Sequence, residues 1–134
     1  MTVLKSENIA IQVQEDIVRT RQVARQWAMD FQFKLVDQTK FVTAVSELAR
    51  NTLIYGKGGS MLLEAVEKNL RKGLRAIFAD KGPGIPDIEQ ALQNGFTTGG
   101  GLGLGLGGAK RLSDEFEIVS KPGEGTRVTI ARWT

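Results

Sequence analysis

Apolar positions change their spacing several times along this chain, and each change marks an element. From Asn8 to Val13 they alternate, with Ile9, Ile11 and Val13 on one side, which predicts a half-buried strand. From Glu15 to Phe31 the spacing becomes helical. Ile17, Ala24, Ala28 and Phe31 form a stripe that Val23 and Trp27 widen, and Glu15 and Asp16 place negative charge at the helix start. A second helix is expected from about Asp37, as its N-cap, to Gly56, as its stop. Phe41, Val45, Leu48, Thr52 and Tyr55 fall on its core side, with Val42, Ala49 and Leu53 beside them. Glu47, Arg50 and Asn51 fall on the opposite, polar side, where any chemistry on this helix would sit.

Lys57-Gly58-Gly59 reads as a turn, followed by extended segments from Ser60 to Leu70 and from Gly73 to Ala79, hinged near Arg71-Lys72-Gly73. The second segment ends in Ala76-Ile77-Phe78-Ala79, an apolar run that meets Asp80. A loop rich in glycine and proline then leads to a short helix from Asp87, as N-cap, to Gly95. Phe96 to Gly101 reads as a loop and Leu104 to Ser113 as a further helix. Glu115 to Ser120 and Thr126 to Trp133 make a closing hairpin around Lys121 to Gly125. This order predicts an α+β fold, a two-layer sandwich with a mixed sheet and helices on one face. Residues 1–134 are expected to form a single domain.

Composition narrows the chemistry. The chain has neither cysteine nor histidine. That excludes disulfides, thiol nucleophiles, Ser-His-Asp catalysis, the usual zinc sites and a phosphohistidine acceptor within the chain. Carboxylates, amides, hydroxyls, cations and backbone N–H groups remain. The net charge is +3 and the pI about 9.4. However, the 18 basic and 15 acidic residues are interspersed, and no basic run is interleaved with aromatics of the kind that stack bases. Nucleic acid is therefore not an expected partner. No apolar stretch approaches the ~20 residues that cross a bilayer, and Met1 to Glu7 lacks a signal-peptide core. A cytoplasmic location without membrane attachment is the expectation.

Four local patterns carry candidate chemistry. The first is Gly99-Gly-Gly-Leu-Gly-Leu-Gly-Leu-Gly-Gly108, in which seven of ten residues are glycine. Glycine in or just before a helix costs ~0.5–1 kcal/mol relative to alanine, so such a run suits backbone that must approach a ligand closely. A loop feeding a helix start offers free N–H groups to phosphate. The bland alternative is a flexible surface linker, and Leu102, Leu104 and Leu106, alternating with the glycines, weigh against it. Gly103 to Gly108 formally fits G-x-G-x-x-G, but it does not follow a strand directly, and no G-x-x-x-x-G-K-[ST] exists.

The second pattern is Asp80-Lys-Gly-Pro-Gly-Ile-Pro86, at the end of an apolar strand. A carboxylate there needs a donor. It would repel phosphates but suits the exocyclic amine of adenine, with Gly82 and Gly84 turning backbone around the ring; an ordinary aspartate at a tight turn is the alternative. The third is Glu47-Leu-Ala-Arg-Asn51. Residues four apart on a helix are separated by ~6 Å along its axis, so Glu47 and Asn51 project side by side, one a candidate base and the other an oxygen ligand for Mg²⁺. An exposed polar face is the alternative. The fourth is Gly123-Glu-Gly125-Thr126, a turn opening the last strand.

In this order the four patterns resemble the GHKL ATPases, over the span from about Ser46 to the C-terminus. Glu47-Leu-Ala-Arg-Asn51, Asp80 to Ile88, Gly95-Phe-Thr-Thr98 and Lys110 to Phe116 are similar, within that family, to the RsbT-type serine kinases of bacterial stressosomes. The resemblance implies a Bergerat-type ATP-binding fold and ATP-dependent phosphorylation of serine or threonine on STAS-domain partners. It also implies a partner switch to a downstream regulator, such as a PP2C-type phosphatase. The alternative it leaves is an anti-sigma factor kinase that sequesters a sigma factor. It implies ATP and Mg²⁺ as cofactors, Glu47 and Asn51 as catalytic residues, and Asn51 as the metal ligand. Nucleotide contacts are implied for Asn51, Asp80, Gly82, Gly84, Ile85, Thr98, Gly99, Gly100, Gly101, Leu102, Gly103, Leu104, Gly105, Leu106 and Thr126. No histidine follows Asn51, as one often does in related anti-sigma kinases, and no dimerisation and phosphohistidine segment is present.

Overall fold

The structure, a computed structural model, describes residues 1–92 and 105–134. In chain order the elements are β1 (Thr2–Ile11), α1 (Gln14–Asp30), α2 (Leu35–Ile54), β2 (Gly59–Lys68), β3 (Arg71–Asp80), α3 (Ile88–Ala91), α4 (Gly105–Arg111), β4 (Glu115–Lys121) and β5 (Gly125–Trp133). The strands form one sheet in the order β1-β2-β3-β5-β4, and α1, α2 and α4 contribute to a core on one of its faces. All four pairings are antiparallel. The expected mixed sheet is therefore corrected: β2–β3 and β4–β5 are hairpins, and the two helices between β1 and β2 return the chain antiparallel to its start.

Alternation along the strands becomes a set of rows across the sheet. Ile9, Met61, Phe78, Val128 and Ile118 stand in register across all five strands and meet the helices. In the next helix-facing row stand Glu7, Leu63, Ala76, Ile130 and Phe116. Burying a side chain such as Met61 or Phe78 is worth about 1.5–3 kcal/mol, so these rows set the register. A slip of one residue would turn every one of them outward. On the same face the row beyond Phe78 reads Ile11, Gly59, Asp80, Thr126 and Ser120. At this end of the sheet, hydrophobes give way to a carboxylate and two hydroxyls.

The helices seal the core from one side. α1 buries Ile17, Thr20, Ala24, Trp27 and Ala28, and the Thr20 hydroxyl donates to the Ile17 carbonyl at 2.8 Å. Lys5 Nζ lies 4.3 Å from the Trp27 ring centroid, where a cation gains from the ring's negative face. At the start of α1 the Asp16 carboxylate accepts from the backbone N–H of Gln12 (2.8 Å) and of Val13 (3.1 Å). Those donors, Gln12 first, hold its carboxyl below the ordinary carboxylate range.

Two boundaries differ from the spacing argument. α2 begins at Leu35, and Asp37 lies inside its first turn. There Asp37 suits the positive end of the helix dipole and pairs with Arg132 of β5 at 2.8 Å. The expected hinge at Arg71 is already strand; the chain reverses at Asn69-Leu70, whose φ values of 53° and 68° make the tight two-residue turn that matches strand twist.

Arg132 also donates to the Leu112 carbonyl at 2.8 Å, so one guanidinium joins α2, the segment after α4, and β5. Arg132→Ala strands a half-buried carboxylate and a carbonyl and should lower unfolding free energy by about 1–3 kcal/mol. Urea denaturation checks this; an unchanged midpoint would show that the clasp contributes nothing.

Candidate functional site

Asp80 ends the inward phase of β3, after Leu74, Ala76 and Phe78, and is half-buried. Its Oδ1 accepts from the Gly82 N–H at 2.9 Å and from the Thr126 N–H at 3.3 Å. Both donors fall on the same oxygen, so among the described residues Oδ2 keeps its lone pairs. The carboxylate is held from two directions while presenting an acceptor at the end of the sheet.

Backbone crowds around it. A Cβ on Gly56 would sit 2.4 Å from Asp80 Cγ, and one on Gly82 would sit 2.7 Å from the Gly56 Cα. Gly125, at φ +108°, would bring a Cβ to 2.1 Å from the Asp80 carbonyl oxygen. Gly84, at φ +78°, would drive one to 2.3 Å from the Lys121 carbonyl oxygen. None of these distances is available to a real side chain, so the chain can close around Asp80 only with glycine at these positions. The 82–85 loop is tied to the β4–β5 hairpin, because Gly123 N–H donates to the Pro83 carbonyl at 2.7 Å and Ile85 N–H donates to Ser120 Oγ at 2.7 Å.

The helical half lies close by. Gly56 follows α2, and its N–H donates to the Asn51 carbonyl at 3.1 Å. The residue in contact with Asp80 is thus bonded directly to Asn51. Asn51 and Glu47 are both half-buried on α2, whereas Arg50 is exposed. One helical turn, ~6 Å of rise, separates Glu47 from Asn51. The structure therefore brings Asn51, Asp80, Gly82, Gly84, Ile85 and Thr126 to one end of the sandwich, with Glu47 one turn further along α2. Asp87 caps α3 as expected, its Oδ1 accepting from the Gln90 N–H at 3.0 Å.

Thr98, Gly99, Gly100, Gly101, Leu102, Gly103 and Leu104 lie outside the described residues. Gly105 opens α4, and Leu106 packs against the core. Among the described residues no cluster of acidic side chains could hold a metal alone. No described helix is long and apolar enough to cross a membrane.

Sequence reasoning missed three residues. Gly56 reads only as a helix stop, yet it is the floor beneath Asp80. Gly59 reads as part of a turn, yet it opens β2, and a Cβ there would strike the Ala79 carbonyl oxygen at 2.0 Å. Ser120 reads as the end of a strand. Its signal was present in the pattern: it occupies the inward phase of Phe116 and Ile118, where alternation calls for a hydrophobe.

Residues 36–133 match the family described as "Histidine kinase-, DNA gyrase B-, and HSP90-like ATPase", and the chain belongs to that family. Within it, the chain is similar to the serine/threonine-protein kinase RsbT of Bacillus subtilis, with 46% identity over 93% of this chain and 94% of that protein. It is also 36% identical to an anti-sigma F factor of Thermoanaerobacter, over 68% of this chain and 66% of that one. Among solved structures, the RsbU and RsbW domains of a Mycobacterium tuberculosis protein share the fold. The TM-score is 0.66 at 20% identity, covering 96% of this chain and 32% of that one.

Gly56→Ala tests the floor of the site. The added methyl must displace the Asp80 carboxylate, so the Gly82 and Thr126 amides should lose protection in hydrogen–deuterium exchange by NMR. Unaltered protection at both would mean that the carboxylate is not seated on Gly56.

Proposed function

We propose that this chain is an ATP-dependent protein-serine/threonine kinase that phosphorylates STAS-domain proteins and acts as a partner-switching regulator. The nucleotide half of this reading rests on Asp80, a carboxylate fastened through Oδ1 at the polar end of the sheet with Oδ2 left for a ligand donor. The residues fit an adenine nucleotide, because Gly56, Gly82, Gly84 and Gly125 keep side chains out of the space around that acceptor. Support for the protein-kinase half is the 46% identity to RsbT across nearly its whole length.

In this reading Asp80 accepts from the adenine amino group, and Thr126 and Ile85 complete the base end. Backbone N–H groups of Gly101, Gly103 and Gly105 would hold the phosphates, and Asn51 would ligate Mg²⁺. When bound, Mg-ATP supplies the γ-phosphoryl group and most of the countercharge for its transfer. Glu47 orients the acceptor hydroxyl of the partner and takes its proton. Phosphoryl transfer is mainly positioning and charge stabilisation, so a base contributes only ~10²–10⁴-fold. The downstream regulator is of the PP2C phosphatase kind or another output protein.

A second reading is favoured by a specific observation, the similarity to anti-sigma F factors. In it the same kinase chemistry serves a protein whose main task is holding a sigma factor. Binding assays with a sigma factor and a STAS protein side by side separate the two.

Two variants test the assignments. Glu47→Ala should reduce transfer of labelled phosphate to a STAS-domain protein by ~10²–10⁴-fold with ATP affinity nearly unchanged; a comparable loss of affinity would remove the base assignment. Asp80→Asn should instead weaken ATP binding itself, by about tenfold or more, since a half-buried acceptor facing a donor is replaced by an ambiguous amide. Wild-type affinity by calorimetry would overturn the adenine assignment.

A further inference from the structure

We infer that Ser120 is a positioning residue for the nucleobase end of the site, holding Ile85 and Thr126 in place through one hydroxyl. The inference rests on the nucleotide reading above and adds to it a residue outside the four sequence patterns. Ser120 stands directly across from Thr126 in the β4–β5 register, and Thr126 stands directly across from Asp80 in the β3–β5 register. Asp80, Thr126 and Ser120 thus form one polar row over three strands.

The geometry around Ser120 Oγ is specific. It accepts from the Ile85 N–H at 2.7 Å, lies 2.8 Å from Thr126 Oγ1, and lies 3.2 Å from the Gly125 carbonyl oxygen. A serine hydroxyl has one proton and two lone pairs. Ile85 occupies one lone pair, and the Gly125 carbonyl can only accept. If Ser120 donates to Gly125, the Thr126 hydroxyl donates to Ser120 and turns its own lone pairs to the pocket. If Ser120 donates to Thr126, the Thr126 proton is released toward the pocket. In both arrangements the Thr126 hydroxyl has a fixed partner and does not rotate freely.

The loop after Asp80 is fastened at three points: Gly82 N–H to Asp80, Gly123 N–H to the Pro83 carbonyl, and Ile85 N–H to Ser120. The first involves the proposed adenine acceptor itself, and the second is backbone alone. Only the third can be removed by substituting a side chain that touches neither Asp80 nor, in this reading, the nucleotide. Ser120 therefore acts through Ile85 and Thr126.

The test compares Ser120→Ala and Ser120→Thr with the unaltered chain. Removing the hydroxyl frees both the Ile85 N–H and the Thr126 hydroxyl, so Ser120→Ala should weaken ATP binding ~3–10-fold by calorimetry and speed exchange of the Ile85 amide in the nucleotide-free chain. Ser120→Thr, which keeps the hydroxyl, should restore both. Inorganic tripolyphosphate has no base, and its affinity, measured by competition against a fluorescent nucleotide, should be the same for Ser120→Ala and the unaltered chain. Equal losses for ATP and tripolyphosphate would reduce Ser120 to a general structural role and overturn the inference. Asp80→Asn, measured in parallel, separates the two levels. If it weakens ATP binding while Ser120→Ala does not, the Ser120 inference alone fails. If Asp80→Asn leaves ATP binding unchanged, the adenine reading beneath it fails.

Discussion

The structure depends on seating one carboxylate at the end of a buried strand. Asp80 continues the inward phase of Leu74, Ala76 and Phe78, so the alternation that buries those residues also delivers a charged group to the edge of the core. A carboxylate in that position is costly unless donors reach it. The chain supplies them from backbone, the Gly82 and Thr126 amides. Backbone can come that close only where there is no Cβ, and this accounts for Gly56, Gly82 and Gly125 together. Three glycines distant in sequence thus answer one requirement.

The strand end of the site was legible because chemistry appears as a break in periodicity. In β3 the inward phase ends on Asp80, in β5 it begins on Thr126, and in β4 it ends on Ser120. Hairpin pairing then aligns these breaks into a single row. Reading strand phases separately finds Asp80 and Thr126; only the pairing adds Ser120 to the same polar row. The Glu47 to Asn51 pattern was legible for the helical counterpart of the same reason, since polar side chains there interrupt the spacing of Phe41, Val45 and Leu48 and stand half-buried beside it.

Other features were opaque for physical causes. A glycine after a helix has a sufficient local explanation as a stop signal, and its second use at Gly56, contact with a residue 24 positions later, depends on tertiary packing. The start of α2 was misplaced because Asp37 is a good N-cap by residue type, whereas its observed partner, Arg132, is 95 residues away. The direction of strand pairing likewise depends on how α1 and α2 return the chain, which spacing does not encode. That is why an antiparallel sheet stands where a mixed one was expected.

The two halves of the site are anchored differently, and this bears on how the protein could respond to a partner. The strand half is bound into the sheet by register and by the cluster around Asp80. The helical half rides on α2, which is tied to β5 at its far end through Asp37 and Arg132 and to the site through Asn51 and Gly56. A partner that pressed on α2 would reach Glu47 and Asn51 and, through the Asn51–Gly56 hydrogen bond, the floor beneath Asp80. In the proposed kinase reading, the base-binding end of the site belongs to the sheet, whereas Glu47 and Asn51 ride on the helix lying across it.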